Sequence, residues 1–209
     1  TETIVESGVC GAEGDNLKYA LDSNGVLTIS GEGEMESYSP DNKSPWTLRH
    51  RDIKKIIIEE GATSTGACAF LDCESLTEII IPDSVTYIGT NSFTGCTSLT
   101  EITIPDGVTA IGGSAFNACT SLTEITIPDS VTIIDSDTFS ECNALSEITI
   151  PDGVTTIGNG AFSSCDLLTK ITIPDSVTSI GSQAFSYCTS LTEITIPDSV
   201  TTIGERAFK

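Results

Sequence analysis

Between Leu99 and Ile104 the apolar positions are Leu99, Ile102 and Ile104, with Thr100, Glu101 and Thr103 between them. The alternation Ile102-Thr103-Ile104 has the period of a strand with one buried face. Pro105 ends that strand, because proline offers no amide donor to a continuing ladder. Pro105-Asp106-Gly107 then reads as a turn. Val108 and Ile111 return apolar side chains to the inside, and Gly112 marks a second turn. The stretch from Ala115 to Cys119 is predicted as a short helical or irregular turn, with Phe116 and Cys119 three apart on one inward face.

The whole pattern recurs. Phenylalanine stands at Phe70, Phe93, Phe116, Phe139, Phe162, Phe185 and Phe208; cysteine at Cys73, Cys96, Cys119, Cys142, Cys165 and Cys188; proline at Pro82, Pro105, Pro128, Pro151, Pro174 and Pro197. All three series have a period of 23 residues, the mark of a repeat array. One coil cannot bury its own apolar face. Stacked coils gain hydrogen bonds between strands and a continuous apolar interior, so the array predicts a solenoid. The fold class expected is a β-rich α/β repeat protein: a right-handed leucine-rich-repeat solenoid with one short strand and a short helical or irregular turn per 23-residue coil.

The opening of each unit has the L-x-x-L-x-L spacing of a leucine-rich repeat, and from Ile53 to Phe208 the pattern resembles the BspA-type leucine-rich repeats of bacterial surface proteins. It departs from the general leucine-rich repeat at the position that usually carries Asn or Cys, which here is Ser84, Gly107, Ser130, Gly153, Ser176 and Ser199. Pro-Asp geometry is therefore expected to hold that turn. The resemblance implies a secreted or cell-surface location and recognition of a protein or host extracellular-matrix ligand.

Residues 1–52 lack the repeat. Leu17, Tyr19 and Leu21 alternate, Asp22-Ser23-Asn24-Gly25 turns the chain, and Leu27 and Ile29 alternate again, which predicts a β-hairpin. The segment from Gly8 to Trp46 resembles the amino-terminal cap of such arrays. A cap is also required physically, since the first coil otherwise exposes an unpaired strand edge. The division expected is an amino-terminal β-hairpin cap over 1–52 and a solenoid of about seven coils over 53–209, the last incomplete. In the first coil Ala62 and Thr65 replace the usual Val and Ile. The chain opens on Thr1 with Met35 as its one methionine, and reads as a processed product; it closes on Phe208-Lys209, where either a continuing chain or an end-to-end homodimer is expected.

Charge narrows the partners. The formal net charge is -21, and no Lys or Arg occurs from Ile56 to Thr169. Such a surface repels phosphate backbones and anionic lipid heads, which argues against nucleic acid and membrane surfaces as partners. No apolar stretch approaches the roughly 20 residues that a membrane-inserted helix needs.

Candidate chemistry is sparse. The six ladder cysteines read as buried reduced thiols pointing the same way, a poor geometry for bridges. Cys10 and Cys68, off the ladder, are the candidate disulfide. Outward strand positions form a carboxylate column (Glu78, Glu101, Glu124, Glu147, then Lys170, then Glu193) beside Ile80, Thr103, Thr126, Thr149, Thr172 and Thr195. Of these, Glu101, Thr103, Glu124, Thr126, Glu147, Thr149, Thr172, Glu193 and Thr195 form the candidate partner-binding face on the concave sheet. The alternative is that they are soluble strand formers copied by duplication, which the near-identity of the coils favours. The turn aspartates are expected to hydrogen-bond their own turns. Asp135-Ser136-Asp137 with Glu141 comes nearest to a calcium loop but lacks its glycine and spacing. No metal and no cofactor are expected. His50 is the one histidine, and no nucleophile, zinc or nucleotide motif appears, so the chain is read as non-catalytic. The function expected is a recognition scaffold. The alternatives are a structural spacer displaying another domain and a carbohydrate-binding module, although Tyr87 and Tyr187 lie off the strand that would have to present aromatics.

Overall fold

The structure is a computed structural model and describes residues 3–209. It opens with three antiparallel strands, β1 (Ile4–Gly11), β2 (Gly14–Asp22) and β3 (Val26–Gly31). The β2–β3 hairpin pairs Leu21 with Leu27 and Tyr19 with Ile29, as the alternation of apolar residues requires. Asp22 closes its turn by accepting from the amides of Asn24 (2.9 Å) and Val26 (2.8 Å). Gly25 is needed there: its φ is +85°, and a Cβ would lie 2.3 Å from the Asp52 carbonyl oxygen.

The pairing then changes sense. β3 runs parallel to β4 (Lys55–Ile58), Leu27 opposite Ile56, and β4 runs parallel to β5 (Glu78–Ile80). The antiparallel strands and the first coils thus share one five-stranded sheet in the order β1-β2-β3-β4-β5. Backbone donors and acceptors at the edge of the first coil are met by β3 instead of water.

Each interior coil carries two short strands where one was expected. The first is Glu-Ile-Thr or its equivalent: β7 (Glu101–Thr103), β9 (Glu124–Thr126), β11 (Glu147–Thr149) and β13 (Lys170–Thr172). The second is a two-residue strand at the isoleucine before the glycine: β6 (Tyr87–Ile88), β8 (Ala110–Ile111), β10 (Ile133–Ile134), β12 (Thr156–Ile157), β14 (Ser179–Ile180) and β15 (Thr202–Ile203). The Val-Thr-x-Ile stretch is extended as well, and its inward isoleucine stacks on the same residue of the next coil, as Ile134 does on Ile157. Between the two strands, the proline turn is closed by backbone alone, the Val108 amide donating to the Pro105 carbonyl at 3.0 Å. The turn aspartates are exposed and, among the described residues, their carboxylates accept no hydrogen bond, so the expected side-chain closure is not used.

Of the helical or irregular turn expected after the glycine, the structure has the irregular form. The only helical element among the described residues is a three-residue 3₁₀ turn, His50–Asp52. Two residues of each coil adopt left-handed φ, which no right-handed helix accommodates. One column is Cys68, Asn91, Ser114, Asp137, Gly160, Gln183 and Arg206 (φ 51° to 60°); the other is Asp72, Gly95, Ala118, Glu141, Ser164 and Tyr187 (φ 55° to 74°). That backbone frees alternate amides to reach the next coil: Asn91 donates to Gly113 at 3.0 Å, Phe93 to Ala115 at 2.8 Å, and Gly95 to Asn117 at 2.9 Å. Bonds between coils replace bonds along a helix.

Inside, the phenylalanines form one continuous stack from Phe70 to Phe208, with ring centroids 5.4–5.7 Å apart and planes within 20° of parallel. Trp46 continues the stack beyond Phe70 at 5.7 Å and 15°, and Tyr19 and Tyr38 meet it edge-on. The indole Nε1–H donates to the Ala69 carbonyl at 2.8 Å, so this buried donor is satisfied. At Thr65, where the first coil lacks isoleucine, the buried hydroxyl bonds Ser92 and accepts from the Gly89 amide.

Candidate functional site

The outward strand residues lie where the alternation put them. In β7, β9 and β11 the isoleucine is buried and the flanking Glu and Thr are exposed: Glu101 and Thr103, Glu124 and Thr126, Glu147 and Thr149. β13 presents Lys170 and Thr172 in the same way. Glu193 and Thr195 are exposed too, but residues 193–195 form no strand. Register places Glu101 opposite Glu124 on paired strands, a like-charge neighbour, whereas Glu147 stands opposite Lys170. Lys55 stands opposite Glu78 and meets it at 2.6 Å.

The face is not one sheet. β7 pairs only with β9, and β11 only with β13, so the ladder is interrupted between β5 and β7, between β9 and β11, and after β13. A hollow of about 610 Å³ lies at the β9/β11 interruption, lined by Glu124, Thr126, Asp129, Glu147, Thr149 and Pro151 among others. Another of about 500 Å³ lies between β13 and residues 192–197, with Lys170 in place of a carboxylate. A third, about 270 Å³, runs from Thr77 past Glu101 to Thr126. Hydroxyls, carboxylates and interrupted backbone offer a partner hydrogen-bond acceptors and negative charge.

No group of three or more His, Cys, Asp or Glu converges on a metal-sized position among the described residues. His50 sits on the 3₁₀ turn with its Nδ1 at the Thr47 carbonyl, away from the strand face. No helix of the structure is long and apolar enough to cross a membrane. Cys10 and Cys68 stand as free thiols, Cys10 buried in β1 and Cys68 half-buried at a left-handed turn position, so the bridge considered above is not formed here.

The thiol ladder was legible as packing; its bonding was not. Five of the six ladder cysteines donate Sγ–H to the phenylalanine carbonyl of the coil before: Cys96 to Phe70, Cys119 to Phe93, Cys142 to Phe116, Cys165 to Phe139 and Cys188 to Phe162, at 3.0–3.3 Å. Burial pushes the thiol of Cys119 up to about 12 and that of Cys188 to about 11, and it raises the others in the same sense. These are donors, not nucleophiles. Trp46 was also missed. It lies one residue off the phenylalanine period, so an aromatic about one repeat before Phe70 was the available signal.

Parallel strands stacked at one unit per coil, a leucine-rich opening and an unbroken interior column define a leucine-rich-repeat solenoid. The chain belongs to the BspA-type leucine-rich-repeat family: six copies of the BspA type Leucine rich repeat region match it, over residues 47–168 and 109–209. Among solved structures it is similar to a leucine rich cell surface protein from Faecalibacterium prausnitzii A2-165 (37% identity, TM-score 0.71, covering 93% of this chain and 50% of that one). It is also similar to a leucine-rich repeat protein of Treponema pallidum (29% identity, TM-score 0.71, covering 90% of this chain and 83% of that one). The chain therefore spans about half the length of the Faecalibacterium protein. A comparison with curated proteins gives no match.

Proposed function

We propose that the chain is a non-catalytic recognition scaffold, secreted or displayed on a bacterial surface, that meets a protein or host-matrix partner through its strand face. The observation carrying this reading is the solvent-facing array of Glu101, Thr103, Glu124, Thr126, Glu147 and Thr149, with a hollow of about 610 Å³ set into it. Parallel rows of hydrogen-bonding side chains on a rigid stack are pre-organised, so a partner loses little affinity to ordering them. The cell-surface Faecalibacterium protein supports the location. Residues 1–52 serve as the cap, with Trp46 and β3 covering the first coil.

The test is binding of the chain to immobilised extracellular-matrix proteins and glycans at physiological salt, with and without calcium. A variant carrying Glu101→Lys, Glu124→Lys and Glu147→Lys is run beside it. Saturable binding lost in the variant is the expected result. Binding that survives the three charge reversals places the partner elsewhere. If neither form binds any ligand tried, the second reading takes over: a spacer that displays another domain, favoured by the near-identity of the coils.

A further inference from the structure

Repetition in this array has one systematic exception, at the third position of the proline turn. Ser84, Ser130, Ser176 and Ser199 carry a hydroxyl there, whereas Gly107 and Gly153 carry none. Each serine donates its Oγ–H to the carbonyl of the residue 22 before it: Ser84 to Ala62, Ser130 to Val108, Ser176 to Val154, and Ser199 to Val177. The acceptor belongs to the preceding coil. Every serine therefore ties its own coil to the one before, a few residues past the end of the strand.

Strand pairing follows the same alternation. β4–β5, β7–β9 and β11–β13 are hydrogen-bonded, and in each pair the later coil carries the serine. Across β5/β7 and β9/β11 the later coil carries glycine, and the strands are unpaired. The junction after β13 is open even though Ser199 is bonded, and β3 pairs with β4 although Gly61 holds the matching turn position, so the hydroxyl accompanies closure between interior coils without being sufficient for it.

Backbone conformation does not explain the glycines, since neither Gly107 nor Gly153 has positive φ. The space beside them faces the carbonyls that the serines use elsewhere. A Cβ on Gly107 would stand 3.0 Å from the Asp83 oxygen and 3.7 Å from that of Val85; one on Gly153 would stand 3.2 Å from Asp129 and 3.7 Å from Val131. Ser130 bonds the matching pair, Asp106 and Val108. What glycine changes is the absence of the tie.

We infer that Gly107 and Gly153 are built-in joints: the solenoid is assembled from serine-clamped pairs of coils, and the strand ladder opens at each glycine, the hollow between β9 and β11 being one such joint held open. The inference stands apart from what the strand face binds, because it concerns only how that face opens.

Amide hydrogen exchange on the full chain, followed by mass spectrometry, tests it. In Gly107→Ser/Gly153→Ser, exchange within residues 100–104 and 146–150 slows roughly tenfold, the effect of one added hydrogen bond at each junction. In Ser130→Ala/Ser176→Ala, which keeps the Cβ and removes only the hydroxyl, exchange within 123–127 and 169–173 speeds up by a similar factor. Unchanged exchange at these stretches overturns the inference. Should the tight Cβ contact at Gly107 keep the serine variant from folding, the alanine variant alone decides, because it adds no atom to the turn.

Discussion

The amino-terminal junction and the interior coils hold neighbouring layers together by different means. Between interior coils every contact is a copy: Phe116 on Phe139, Cys142 on the Phe116 carbonyl, Thr155 on the Thr132 carbonyl. A slip by one whole coil would reproduce nearly all of these contacts. At the junction almost nothing is repeated. Trp46 is the one tryptophan, its indole bonds Ala69, Tyr19 and Tyr38 meet it edge-on, and Arg51 and Lys55 bridge to Glu74 and Glu78. Copies supply cohesion and unique contacts supply register, so the non-repeating end tells the array where to start. In a stack where each unit touches only its neighbours, that division shows up as different responses to damage.

The largest expected difference is at alkaline pH. Thiols fully buried in the coils have pKa values raised by burial, Cys119 to about 12, from a model-peptide range near 9. A raised folded pKa contributes stability that is complete below the unfolded value and is lost as pH climbs through the folded one. Five such thiols (Cys73, Cys96, Cys119, Cys142 and Cys165) each lose up to roughly 1 kcal/mol per pH unit above about 9. The guanidinium midpoint should be flat from pH 6 to 8 and fall steeply between 9 and 10.5, and hydrogen exchange should show the coils opening before β2 and β3. A midpoint that stays level to pH 10.5 would mean the thiols are not held away from water.

Next in size, Trp46→Ala should cost about 3–5 kcal/mol, the range for truncating a buried large aromatic. The damage should be confined to the junction, exposing β4 and β5 while protection around Phe139 is kept. Phe139→Ala removes a comparable amount of buried ring but uncouples the coils on both sides of it. Exchange mapped along both variants separates the two patterns, and identical maps would show that the junction has no special role in register.

This asymmetry also decides what could be read from the sequence. A signal copied six times is readable: the strand alternation, the proline turn, and the inward Phe and Cys columns all stand where periodicity put them, as Ile102 and Cys119 show. Contacts made once carry no such redundancy, which is why Trp46 escaped. Backbone conformation escaped for another reason. The left-handed positions are occupied by residues as unlike as Asn91, Ser114, Asp137 and Gln183, because they are held by amides bonded to the next coil and not by side-chain preference. The Ala-Phe-x-x-Cys stretch has helical spacing and is shaped by its neighbours instead. On the candidate site, the sequence showed the columns but not their interruptions, since among the interior coils these track a turn residue several positions beyond each strand.

A smaller effect isolates the thiol ladder. Cys142→Ala removes one of the two donors to the Phe116 carbonyl, which keeps the Cys119 amide at 3.2 Å, at a cost of about 1 kcal/mol for the lost bond. Cys142→Ser keeps a donor of nearly the same size and should recover about half of that loss or more. Denaturant midpoints for the two variants compare packing with bonding: equal losses would mean the thiol matters only as volume.

The smallest effect lies on the strand face. Glu101 opposes Glu124 across β7 and β9, while Lys55 opposes Glu78 and Lys170 opposes Glu147. Like charges directly opposite on paired strands destabilise, and opposite charges add roughly 0.2–1 kcal/mol per pair. Both residues of the Glu101–Glu124 pair are exposed, so water and salt screen the repulsion and the lower part of that range applies. Glu124→Lys should therefore raise stability by a few tenths of a kcal/mol at low ionic strength, and Lys170→Glu should lower it by as much. Both differences should shrink in 1 M salt, where the screening length is about 3 Å. If Glu124→Lys gains nothing at low salt, the carboxylate column carries no net strain, and its repetition reflects the copying of coils alone. A gain that vanishes in salt means each coil keeps Glu124 at a cost to its own stability, which is the behaviour expected of a face retained for a partner.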